Sequence, residues 1–85
     1  HSYDDLIGKI NDLDLNRLQQ RVLLNQVTLA KLLHQKGQKR VSYPKLEQTI
    51  LKSVLRTLQR YNRRELITDE ELEKFKEIIN YLMKV

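Results

Sequence analysis

Apolar residues in this chain recur three and four positions apart and almost never alternate with polar ones, which is the periodicity of amphipathic helices rather than strands. Polar breaks divide the pattern into four segments. The prediction is an all-α fold, a compact bundle of four helices joined by short loops, or of three if the first segment does not form. The helices are expected at about 3–13, 15–36, 43–64 and 69–84, as a single helical domain over residues 1–85.

Local signals set the expected ends. Ser2 can cap the first helix, with Asp4 and Asp5 facing the positive end of its dipole and Leu6, Ile7 and Ile10 forming its apolar side; Gly8 weakens its middle. Asp14 is the expected cap of the second helix, and Gly37 marks its end in the position where a left-handed residue costs least. Ser42 and Pro44 open the third, since proline in a first turn forgoes a donor that has no partner there. The run Leu66-Ile67-Thr68-Asp69-Glu70-Glu71 reads as a capping box ahead of the fourth, with Thr68 and Glu71 bonding each other's backbone amides.

The third segment separates its faces cleanly. Tyr43, Leu46, Ile50, Leu51, Val54, Leu58 and Tyr61 fall on one broad side, with Leu55 at its edge. The expected core is Leu18, Val22, Leu29, Leu33, Leu46, Ile50, Val54, Leu58, Leu72, Phe75, Ile79 and Leu82.

The second segment allows two readings. Leu15, Leu18, Val22, Asn25, Leu29 and Leu32 follow heptad spacing with Asn25 as one polar break, which suits a seam with a second chain. Leu23, Leu24, Val27, Ala30 and Leu33 leave little of the helix polar, which suits a central helix buried within the bundle. Leu24 falls among Arg17, Arg21 and Thr28 on the expected wet face, so Arg17, Arg21, Leu24 and Asn25 are the candidate residues for a protein partner or a homodimer.

Charge adds a second theme. Residues 15–64 hold twelve Lys or Arg and one acid, Glu47, for +11, while each flank carries −3, giving the net +5. On the third segment Lys45, Lys52, Arg56 and Arg63 lie within about 40° of one another, with Arg60 beside them. Lys39 and Arg40 extend this stripe at one end and Arg64 at the other. Such a ladder binds phosphates, because arginine offers paired donors and each neutralised phosphate releases counterions. The plainer alternatives are a solvated surface face, or a stripe covered by the acidic last helix with Glu70, Glu71, Glu73 and Glu77. The second and third helices fit a helix-turn-helix poorly, because the third is longer than a typical recognition helix; contact with a nucleic-acid backbone is expected, with little base reading. Tyr3, Tyr43 and Tyr61 are too few and too core-like for a stacking platform.

Groups for catalysis are missing or badly placed. His34 sits near the end of a helix, where a cation complements the dipole, and neither it nor His1 has the spacing of a zinc site. The aspartates lack a calcium loop, the serines lack a neighbouring base, and no glycine-rich phosphate loop occurs. With no cysteine, disulfide and thiolate chemistry are excluded. The apolar runs fall far short of the roughly 20 residues that span a bilayer. The chain begins on His rather than Met, so it is expected to be part of something longer, and no signal-peptide pattern is present. The expectation is a non-enzymatic, intracellular binding module without cofactor, metal or small-molecule substrate. It contacts nucleic acid or another polyanion through the stripe or, alternatively, a protein or second copy through the second helix.

Overall fold

The computed structural model describes residues 2–37 and 44–84, with side chains except at 36, 37 and 44. Helix α1 spans Tyr3–Asn11, α2 Arg17–Gly37, α3 Pro44–Arg63 and α4 Asp69–Lys84, with no strand among the described residues. α2 packs on α1 and α3, α4 packs on α3 and α1, and the backbones of the diagonal pairs do not approach closely, so the helices form a ring around one core. Leu6 and Ile10 of α1, Leu23, Val27 and Ala30 of α2, Leu51, Val54 and Leu58 of α3, and Phe75, Ile78 and Ile79 of α4 fill it.

The caps follow local chemistry. The Ser2 hydroxyl accepts from the Asp5 amide at 3.2 Å, as expected. α2 starts later than Leu15 and its cap is Asn16, not Asp14. The Asn16 side chain accepts from the Gln19 amide at 2.8 Å, and the Gln19 side chain accepts from the Asn16 amide at 3.2 Å. The reason lies just upstream. α1 stops at Asn11, short of residue 13, because the chain must turn to bury Leu13, and a bond from the Leu15 amide to the Leu13 carbonyl closes that turn. Asp14 is therefore still in the connection when the next helix has yet to begin. Gln20 then donates to the carbonyls of Ile10 and Asn11, stitching the start of α2 to the end of α1.

α2 runs through Gly37, and no glycine among the described residues has a positive φ. The expected loop, its cations Lys39 and Arg40, the Ser42 cap and Tyr43 lie outside the described residues. α3 ends at Arg63 in a six-to-one closure: the Leu66 amide donates to the Tyr61 carbonyl at 2.9 Å and the Glu65 amide to the Asn62 carbonyl at 3.0 Å. Such a cap requires a left-handed residue, and Glu65 supplies it at φ 61. The capping box ahead of α4 forms, with Thr68 and Glu71 exchanging bonds of 2.8 and 3.0 Å. Ile67 and Leu72, both buried, flank it as a hydrophobic staple.

The expected core is half correct. Val54, Leu58, Leu72, Phe75, Ile79 and Leu82 are buried, and Leu33 and Ile50 are half-buried. Leu18, Val22, Leu29 and Leu46 are instead exposed, Leu18 by 71%. α2 carries two seams at three-four spacing, and the one with Val27 and Ala30 faces inward because small side chains let α3 approach closely.

Candidate functional site

The outward seam of α2 forms the first half of the site. Leu18, Val22, Asn25, Leu29 and Leu32 fall within about 80° of arc and are all exposed. Four large aliphatic side chains open to water along one line is an unusual surface for a helix that already buries an opposite face. Asn25 is thus placed on the seam, with Arg17 and Arg21 exposed along one of its edges. Leu24 is not an exposed anchor. It is half-buried against the core, on the same face as Gln20, which bonds the end of α1, and Lys31, which pairs with Asp4 of α1 at 2.8 Å. The short α1 covers that side, which composition alone does not reveal.

α3 supplies the second half. It runs antiparallel to α2, with Tyr61 reaching the Gln19 carbonyl, Thr57 reaching Gln26 and Glu47 meeting His34. Between the two helices runs an open groove of about 670 Å³ whose lining includes Leu18 and Val22 on one wall and Arg56, Arg60 and Arg64 on the other. Ser53 and Thr57 lie on its floor. Their hydroxyls turn back onto the carbonyls of Thr49 and Ser53, so short, self-satisfied side chains leave the floor low. Farther along, on the same edge of α3, Leu46 is 48% exposed. The groove itself thus sets aliphatic side chains against arginines, and Leu46 lies beyond its lining.

Lys45, Lys52, Arg56, Arg60, Arg63 and Arg64 are all exposed. Among the described residues none of them has an acidic group within 4.0 Å. Most acids of α4 are used elsewhere: Asp69 accepts from the Asn62 side chain, Glu70 pairs with Lys74, Glu73 with Lys76, and Glu71 caps its own helix, while Glu77 forms no ion pair with the stripe among the described residues. α4 does not cover the stripe. Lys45, Lys52 and Arg63 point away from the bundle, Arg60 is turned by helical phase toward α2, and Arg56, nearly in phase with the first three, still lines the groove together with Arg60 and with Arg64 just past the helix end.

Glu47, the lone acid of the basic block, lies inside the structure. The Tyr3 hydroxyl donates to its carboxylate, and His34 Nδ1 stands 3.1 Å from the same oxygen. Burial, then the bond to Glu47 and its negative charge, push the Tyr3 phenol well above the ordinary tyrosine range. His34 also leans on the Tyr3 ring at 5.6 Å, so its role is to tie α2 to α1 and α3 rather than only to complement a dipole. Among the described residues no three His, Cys, Asp or Glu gather as metal ligands, and no helix is long and apolar enough to cross a membrane. Compared with known protein families, curated proteins and solved structures, the chain matches none.

Proposed function

We propose that this protein is an intracellular, non-enzymatic docking module whose working surface is the outward face of α2 and the groove beside it. The observation that carries this reading is the exposed line Leu18, Val22, Leu29 and Leu32. Phosphates gain nothing from aliphatic side chains, whereas a protein partner gains from burying each of them. The test is affinity capture on the immobilised chain from lysate of the source cells, with nuclease-treated samples alongside. Proteins retained by the wild type and lost by the Leu18→Gln/Leu29→Gln double variant are expected. Retention that ignores this variant would overturn the reading.

A second reading rests on a different observation, the absence of acidic partners around the α3 cations among the described residues. Lys45, Lys52 and Arg63, joined by Arg56 and Arg60, are spaced to contact nucleic-acid phosphates with little regard to sequence. Fluorescence anisotropy of labelled single-stranded and duplex oligonucleotides at several salt concentrations tests it. Binding with a salt slope equivalent to about four or five released ions supports the stripe as a phosphate site. No binding at low salt removes this reading and leaves the α2 face.

A further inference from the structure

We infer that the partner taken by this face is an acidic amphipathic helix, about four turns long, lying along the outward seam of α2 with one end beside the groove toward α3. The inference rests on the docking reading above and adds the chemistry of the occupant.

Length comes from the seam. Leu18 to Leu32 is fifteen residues of one helix. At about 1.5 Å per residue that line is about 21 Å long, which a partner helix of roughly 14 to 16 residues covers in antiparallel or parallel contact. Its anchors must repeat three and four apart to meet a seam with that spacing.

Charge comes from both edges of the seam. Arg17 and Arg21 border one side, and Arg56, Arg60 and Arg64 form the opposite wall of the groove. No acid occurs from Arg17 to Gly37, and Glu47 on α3 is engaged by Tyr3 and His34. A helix whose apolar edge covers Leu18 and Val22 thus places its flanking positions opposite arginines, where Asp or Glu is attracted and Lys or Arg repelled.

The same facts argue against a second copy of this chain. Two α2 seams placed face to face set Arg17 and Arg21 against a helix that has no acid to answer them. The acid-rich face of α4 fits no better. Among the described residues its one large exposed apolar side chain is Tyr81, and Glu70 and Glu73 already pair with lysines of their own helix.

The test titrates the full chain into three fluorescent helical peptides of about 18 residues, long enough to fill four turns. They share one leucine stripe at three-four spacing and differ only in carrying Glu, Gln or Lys along both flanks. The Glu peptide is expected to bind most tightly and the Lys peptide least. Arg56→Gln/Arg60→Gln is expected to weaken the Glu peptide by roughly 2- to 30-fold and to leave the Gln peptide unchanged. The same loss of charge at Lys9 and Lys84, on α1 and α4, is expected to have no comparable effect. Leu18→Gln/Leu29→Gln is expected to weaken both peptides. Equal binding of the Glu and Gln peptides would overturn the acidic occupant while leaving a docking face. Binding of none, by a chain that sediments as a monomer, would overturn both readings. A dimer that Leu29→Glu dissociates would make the occupant a second copy and overturn the inference alone. Displacement of the Glu peptide by a short oligonucleotide, with no effect of Leu18→Gln/Leu29→Gln, would also overturn it and assign the groove to phosphates.

Discussion

The Tyr3 hydroxyl donates a hydrogen bond to the Glu47 carboxylate, fastening the first turn of α1 to the first turn of α3 across forty-four residues of sequence. His34 of α2 meets the same carboxylate, so one acid joins three helices at one end of the bundle. Replacing Glu47 by Ala strands both partners, Tyr3 buried and His34 half-buried. We expect a loss of about 1–3 kcal/mol in denaturant unfolding followed by circular dichroism, the usual cost of removing a charged hydrogen-bond partner. An unchanged midpoint would contradict this role.

Alkaline pH acts on the same contact. The folded protein holds the Tyr3 phenol neutral above the pH at which an unfolded tyrosine ionises, about 10. That contribution to stability is fully present below about pH 10 and is lost as pH rises above it, because only the unfolded chain then releases the proton readily. Tyr3→Phe is expected to flatten the decline in stability on the alkaline side. The same slope in the variant would place the sensitivity elsewhere.

Glu65 occupies a backbone position that favours glycine, with φ 61 in the closure at the end of α3. Glu65→Gly is expected to stabilise the fold by about 0.5–1 kcal/mol, since the left-handed strain of a residue with a Cβ is removed. A thermal melt reads this as a rise of several degrees for a domain of this size. A lower melting temperature would show that the Glu65 side chain contributes more than its backbone costs.

The phase of α2 separates two sets of residues in the same helix. Leu23→Ala removes a fully buried side chain and is expected to cost about 2–5 kcal/mol. Leu18→Gln and Leu29→Gln, on the open seam, are expected to stay within about 0.5 kcal/mol of the wild type. Comparable losses at all three sites would mean that the seam is already buried in the free chain.

The cap of α2 gives an independent check on where that helix begins. Asn16→Ala breaks the exchange with Gln19 and is expected to cost about 1 kcal/mol, while Asp14→Ala is expected to cost little. The reverse order would restore the earlier start.

What the sequence makes legible is local. Ser2, and the pair Thr68 and Glu71, act within one turn of where they sit, so their caps can be read without knowing the fold. The α3 stripe is equally plain, because one arc of that helix holds the cations and the other the aliphatic residues. The phase of α2 is not legible, since Leu18, Val22, Leu29 and Leu32 make as regular a seam as Leu23, Val27 and Ala30. The choice between them is tertiary: small side chains at the α3 contact, and Gln20 and Lys31 binding α1 on either side of Leu24. Glu65 gave no warning either, as glutamate is not a residue that favours the left-handed region.

On this reading the α2 seam and the arginine wall beside it act as one surface. Amide chemical-shift mapping of the isotope-labelled chain, on adding the Glu-flanked peptide, tests this most directly. The predicted result is a continuous band of perturbation along residues 18–32 of α2 and from residue 53 of α3 to Arg64 just past its end, with the outward face of α4 quiet. Perturbations confined to α4, or to the far side of α3 around Lys45 and Lys52, would contradict it.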